Sequence, residues 1–371
     1  MSPATSRVGG SGLAVVKVGT SSITRETGEL DDAALIKLAG DLAQARDGRS
    51  IVLVLSGAIA AGMPALGMVR RPADVGTLQA IAAVGQPRLQ ERMSALLGTH
   101  GIVAGQVLLT PYDFVHRSQY LHARETLQRL LDLGVLPIVN ENDTVADDEI
   151  RYGDNDRLAA LVSHLLGADL LLMLTDTTGV FTADPRRNAE ASLIEEIVEV
   201  DEALERVAGG AGTARGSGGM ASKLAAAKIA SWSGVRSVIA SAALPNVVAD
   251  AASGRAVGTS FAAWTQRLPA RKLWIAFAQG AAGRVVVDGG ARRALVDGGK
   301  SLLAAGVVEV DGKFDADVAV EIVGDDGRVF AKGLSRYSAS QLRGVAGKRT
   351  TELPEGLPHE VVHRDDLVVL P

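Results

Sequence analysis

Cysteine is absent from this 371-residue chain, so neither a disulfide nor a thiolate-ligated metal site can form. The absence fits a reducing cytoplasm. Aromatic residues make up only 4%, which leaves Ala, Val, Leu and Ile to build the interior. No apolar run reaches the roughly 18 residues of a membrane-spanning helix. The nearest, LLGADLLLML, is short and is interrupted by Asp169. An excess of positive charge is missing too: 38 Lys and Arg stand against 43 Asp and Glu, a net charge of −5. Nucleic-acid binders carry a basic excess or stripe, so small-molecule partners are the expectation. The opening MSPATSRVGGSG lacks the apolar run of a signal peptide and reads as a disordered tail over residues 1–12.

What is present is a globular balance, with 47% hydrophobic and 22% charged residues. The length suggests two domains. In the first two thirds, short apolar runs at 14–18, 51–55, 102–109, 136–139, 170–174 and 237–240 read as strands. Between them, 32–45, 76–97, 118–133, 156–166 and 220–232 read as helices. Near-continuous apolar strands separated by helices predict a parallel sheet covered on both faces, with ligands beyond the carboxyl ends of its strands. After Trp264–Arg271 the pattern changes to short β-like runs at 284–287, 307–310, 318–322 and 329–331, punctuated by VDGK and VGDDGR turns. Domains at 13–265 and 280–371, joined by a linker at 266–279, are expected.

Five clusters carry candidate chemistry. In VVKVGTSS a strand delivers Lys17 to a Gly turn, where backbone amides and an ammonium can meet a phosphate; the bland alternative is a strand-edge lysine beside an ordinary turn. In LSGAIAAG, Ser56 and Gly57 open a helix whose N-terminal amides attract anions, or Ser56 merely caps it. VNENDTVADDEIRYGDND follows a strand and is dense in amides and carboxylates. It suits an ammonium-bearing substrate and a metal–phosphate complex, or is a solvated acidic loop. LLLMLTDTTGVFTADP ends a buried strand at Thr175 and Asp176, where nucleotides bind such sheets; a strand followed by two turns reads equally well. GSGGMASK opens a helix carrying Lys223, a phosphate cradle or a linker. His116, His122, His164 and His363 show no ligand-like spacing, and Trp232, Trp264 and Trp274 read as packing residues.

Taken in order, SGAIAAG, NENDTVA, GDND, LTDxxGVFTADP (with Thr177 and Thr178 at the two open positions, a departure that bears on adenine-side contacts) and GGMASK resemble the glutamate 5-kinases of the amino-acid kinase superfamily, from about Leu13 to His363. GKSLLAAGV and GLSRYSA are similar to the PUA domain that many members carry. The resemblance implies an α/β fold, a three-layer sandwich around a mostly parallel sheet, with a small β-rich C-terminal PUA-like domain. It implies that Lys17 and Lys223 grip the phosphates and the transferring phosphoryl group, and that Asp154 holds the two lysines. Ser56, Asp143 and Asn155 would bind L-glutamate, with Asn140 and Asp156 supporting the pocket. Thr175, Asp176 and the run Ser217, Gly218, Gly219, Met220, Ala221, Ser222 and Lys223 would bind ATP, whose phosphates would hold magnesium. Ser217 stands where Thr is frequent and Phe181 where Tyr is frequent; each keeps the size or hydrogen-bonding character.

A glutamate side chain, with a pKa of about 4.3, is already ionised at neutral pH and needs no general base. The difficulty is to bring one anion against another, which calls for positioning and cations. The expected product is L-glutamyl 5-phosphate, at the first step of proline biosynthesis. The resemblance further implies feedback inhibition by proline, a homo-oligomer (dimer or tetramer), hand-off to glutamyl-phosphate reductase and a cytoplasmic location. Acetylglutamate kinase, aspartokinase and uridylate kinase share the fold, but NENDTVA, GDND and the C-terminal β domain weigh against them. RNA binding is the rival from another class. From Pro269 to Pro371 there are 14 Lys and Arg against 14 Asp and Glu, a poor match to a phosphate backbone.

Overall fold

The computed structural model describes residues 12–25, 27–145, 155–185, 188, 190–200, 204, 219–265, 267–277 and 281–370. The chain divides into two compact units between Arg267 and Leu268.

The first unit runs β1 (Leu13–Val18), α1 (Asp32–Ala45), β2 (Ser50–Leu55), α2 (Ala58–Ala65), α3 (Val75–Gly98), β3 (Ala104–Leu109), α4 (Pro111–Val115), α5 (Arg117–Asp132) and β4 (Leu136–Glu141). It continues with α6 (Asn155–Leu166), β5 (Leu170–Thr175), β6 (Glu196–Ile197), α7 (Met220–Trp232), β7 (Arg236–Ser241), α8 (Val247–Ala252) and β8 (Thr259–Phe261). Among the described residues the eight strands form one sheet in the order β3-β4-β2-β1-β5-β7-β8-β6. All neighbours are parallel except β7 and β8.

The central strands are buried along nearly their whole length, because helices cover both faces and leave no side for polar alternation. One face packs Ala14, Val16 and Val18 of β1 and their equivalents on β2 and β5 against α1, α3 and α8. The Asp31 carboxylate caps α1 by accepting from the Ala33 and Ala34 amides, and Leu35, Leu38 and Leu42 line its buried stripe. The opposite face carries α5, α6 and α7. The core of the α1 layer holds Ala, Val, Leu, Ile and Met, as the scarcity of aromatics requires.

Close helix contact shapes the α2–α3 corner. A Cβ built on Gly85 would stand 1.8 Å from the Ala58 carbonyl oxygen, and one on Gly62 2.1 Å from that of Ile81. Only glycine at both positions lets the two backbones approach this closely.

The second unit holds α9 (Ala270–Phe277), which falls within the segment expected to be a linker. It is followed by β9 (Gly283–Val287), α10 (Gly289–Val296), β10 (Leu302–Leu303), β11 (Val307–Gly312), β12 (Val318–Val323), β13 (Val329–Ser335), α11 (Ala339–Val345), β14 (Glu360–Val362) and β15 (Leu367–Val369). Its main sheet has the order β11-β9-β12-β13-β15, with β9 and β12 parallel and the other pairs antiparallel. β10 and β14 pair separately. Buried aromatics, absent from the α1 layer, contribute to this core, with Phe314, Phe330 and the fully buried Tyr337 packed among Val, Leu and Ile. The helix α10 opens on Gly-Gly, a poor helix start. The Asp288 carboxylate caps it by accepting from the Ala291 amide, and Leu295 anchors it in the core.

Candidate active site

Lys17 is the penultimate residue of β1, opposite Val54 of β2 and Met173 of β5. The alternation that sends Val16 and Val18 into the α1 layer turns Lys17 toward the face carrying α6. Asp156 lies in the first turn of α6 and Lys223 in the first turn of α7, and these two helices pack together. The three side chains meet. Lys17 Nζ is 2.5 Å from Asp156 Oδ1, and Lys223 Nζ is 3.1 Å from Asp156 Oδ2. The Ser222 hydroxyl lies 2.9 Å from Asp156 Oδ2 and 2.9 Å from the Gly219 carbonyl.

All three charged groups are buried, Lys17 at 4%, Asp156 at 0% and Lys223 at 5% exposure. Burial alone would push the Asp156 carboxyl up. The charges of Lys17 and Lys223 and the hydrogen bonds they donate together outweigh it and hold the carboxyl well below the usual carboxylate range. Two ammoniums sharing one carboxylate leave a net charge of about +1 among the three groups. That surplus sits at the carboxyl end of the central strand, beside a Gly turn, and is suited to a phosphate.

A second group of side chains forms a chain of amides. Asn155 Nδ2 donates to Ser56 Oγ at 2.8 Å and to Asn140 Oδ1 at 2.8 Å. The Glu141 amide donates to Asn140 Oδ1 at 2.9 Å and, more weakly, to Asn155 Oδ1 at 3.3 Å. Asn140 Nδ2 donates to Gln86 Oε1 at 2.6 Å. Ser56 follows β2, Asn140 is the penultimate residue of β4, and Asn155 begins α6 one residue before Asp156. Gly57, at φ +116°, turns the chain from Ser56 into α2. A side chain there would be strained.

Asp143 follows β4. Burial pushes its carboxyl up, and the Arg71 guanidinium offsets this only in part. On the other side of β1, the Gly19 amide donates to the Leu174 carbonyl at 3.3 Å, which brings the end of β5 beside the Lys17 turn. Thr175 there is buried and its hydroxyl donates to Asp176 at 3.1 Å. Gly219, Met220 and Ala221 form the start of α7.

Among the expected residues, Lys17, Lys223, Asp156, Ser222, Ser56, Asn140 and Asn155 thus come together, and Thr175 and Asp176 lie on the neighbouring strand end. Asp154, Ser217 and Gly218 lie outside the described residues. The bridging position that resemblance assigned to Asp154 is held, among the described residues, by Asp156, which was expected only to support the pocket. The two acids of GDND are two residues apart, and the motif alone does not say which one faces the lysines. Gln86 was passed over entirely. Its only signal was a Gly-Gln-Pro break inside an otherwise regular helix.

Residues 12–241 match the Amino acid kinase family and residues 283–357 the PUA domain. The chain is 48% identical to the glutamate 5-kinase of Cupriavidus pinatubonensis over 96% of this chain and 97% of that protein. It is 45% identical to the glutamate 5-kinase of Vibrio campbellii over 96% of this chain and 95% of that protein. In fold, it resembles the carbamate kinase from Giardia lamblia bound to AMP-PNP, with a TM-score of 0.51 at 18% identity, covering 68% of this chain and 98% of that one.

Proposed function

This chain belongs to the amino acid kinase family, among its glutamate 5-kinases, and on that premise we propose how its residues divide the work. The enzyme uses ATP to phosphorylate the side-chain carboxylate of L-glutamate, giving L-glutamyl 5-phosphate for proline biosynthesis. In our reading Lys17 and Lys223 hold the ATP phosphates and neutralise the phosphoryl group in transfer. Asp156 keeps both ammoniums in register. The observation that carries this reading is the pair of contacts from the two lysines to the two oxygens of one buried carboxylate.

Ser56, Asn140, Asn155 and Asp143 bind the acceptor amino acid. The Asp143 carboxylate is matched to the substrate's ammonium, and the amide chain from Asn140 to Ser56 to its polar groups. The role of Asp154, as a further contact to the lysines, stays in the proposal on resemblance alone. Thr175, Asp176 and the stretch from Ser217 through Gly218, Gly219, Met220, Ala221 and Ser222 bind ATP. Uncapped amides at the start of α7 add their partial positive charge there.

The attacking carboxylate is ionised at neutral pH, so no proton must be removed. The barrier is repulsion between anions, and the surplus positive charge of the Lys17–Asp156–Lys223 group lowers it. Magnesium is assigned to the phosphates of ATP. Among the described residues no group of three His, Asp or Glu could hold a metal.

Proline as feedback inhibitor, a homo-oligomer (dimer or tetramer) and a cytoplasmic location rest on the family likeness. So does hand-off of the labile acyl phosphate to glutamyl-phosphate reductase. Among the described residues no helix is long and apolar enough to cross a membrane. An ATP-dependent hydroxamate assay tests the reading. L-glutamate should give γ-glutamyl hydroxamate, whereas N-acetylglutamate, aspartate and UMP should give no phosphorylated product; turnover of one of these in preference to glutamate would overturn it.

A further inference from the structure

We propose that Gln86 is a positioning residue for the acceptor pocket, acting on glutamate through Asn140 and Asn155. The inference rests on the pocket reading above and goes one residue deeper. Gln86 lies between Gly85, whose missing side chain lets α3 press against the first turn of α2, and Pro87. This contact brings Gln86, partly buried, to the strand ends beside Ser56.

An amide side chain presents an acceptor on one side and two donors on the other, and turning it over exchanges them. The Asn140 oxygen serves Asn155 Nδ2 at 2.8 Å and the Glu141 amide at 2.9 Å. Its nitrogen must therefore face the other way, and the acceptor waiting there is Gln86 Oε1 at 2.6 Å. Asn140 is 2% exposed, so water cannot readily take over that role. Without the Gln86 oxygen, the buried Asn140 amide loses its partner. Turned over to find another, it would set two NH2 groups face to face and release Asn155 from Ser56. Gln86 thus fixes which way the pocket amides point without touching the phosphates.

Steady-state kinetics on Gln86→Met, Asn155→Ala and the double variant, with glutamate and ATP varied separately and thermal unfolding recorded, test this. Gln86→Met should raise the glutamate KM about 10-fold, with the ATP KM unchanged and only a small fall in Tm from the unpaired Asn140 amide. In the Asn155→Ala background it should add less than about 2-fold, because both act along one chain of hydrogen bonds. Multiplicative effects in the double variant would overturn the proposal. So would a fall in Tm accompanied by changes in both KM values, which would mark a packing role. If Asn155→Ala alone raises the glutamate KM, Gln86 drops out and the pocket stands. If neither variant moves it, the pocket assignment falls as well.

Discussion

At Asp156 the order of two opposing effects decides the chemistry. Desolvation of a fully buried carboxylate favours its protonated form, while two ammoniums at 2.5 and 3.1 Å favour the anion, and the anion wins. Asp143 shows the reverse, since Arg71 compensates its burial only in part and its carboxyl is raised. The two acids therefore titrate apart. As pH falls, Asp143 takes up its proton first and loses its attraction for an ammonium, while Asp156 still holds the lysines. The expected outcome is an acid limb in kcat/KM for glutamate that begins above the ordinary aspartate range. In Asp143→Asn that limb should vanish and the glutamate KM should rise at neutral pH. A limb of unchanged position in the variant would assign the titration to another group.

Elements were legible where their apolar period was long. The helices at 32–45 and 220–232 appear with the boundaries read from sequence, and the central strands differ by one or two residues at their ends. β6 and β8 span only two and three residues, too short for an alternating pattern to register, and pairing with neighbours decides them. The helix α9 fell in an expected linker, and α10 begins with two glycines, which carry no helix signal. Of the site, the strand-end residues could be read because parallel sheets bind ligands at that edge. The Gln86 contact depends on the α2–α3 approach, which arises from glycines 23 positions apart in the chain and leaves no local pattern. That approach is itself testable. In Gly85→Ala the new methyl would meet backbone rather than a movable side chain. The cost should be about 2–3 kcal/mol in denaturant unfolding, by overpacking, with a weakened glutamate KM as α2 shifts from Ser56. A variant as stable as the wild type would show that the corner is looser than described.

For the molecule as a whole, acid stability is set partly by a histidine remote from the lysine pair. His164 of α6 is buried, and burial, followed by the charges of Arg267 and Arg124, holds its pKa down to about 4. Unfolded, it titrates near 6.5. The unfolded chain therefore binds an extra proton between these values. The contribution of neutral His164 is full above pH 6.5 and is lost as pH falls toward 4, at up to about 1.4 kcal/mol per pH unit. His164→Gln should flatten the slope of unfolding free energy over that window, and an unchanged slope would remove His164 from the account.

The larger claim is that two lysines, one on the first strand and one some two hundred residues later, act together on one phosphoryl group. Single-turnover transfer from ATP to L-glutamate by Lys223→Ala measures this most directly. With the Lys17–Asp156 pair still neutral and intact, the variant should keep the wild-type Tm and glutamate affinity while the transfer rate falls by at least about 100-fold. Transfer within a few-fold of the wild-type rate would contradict it.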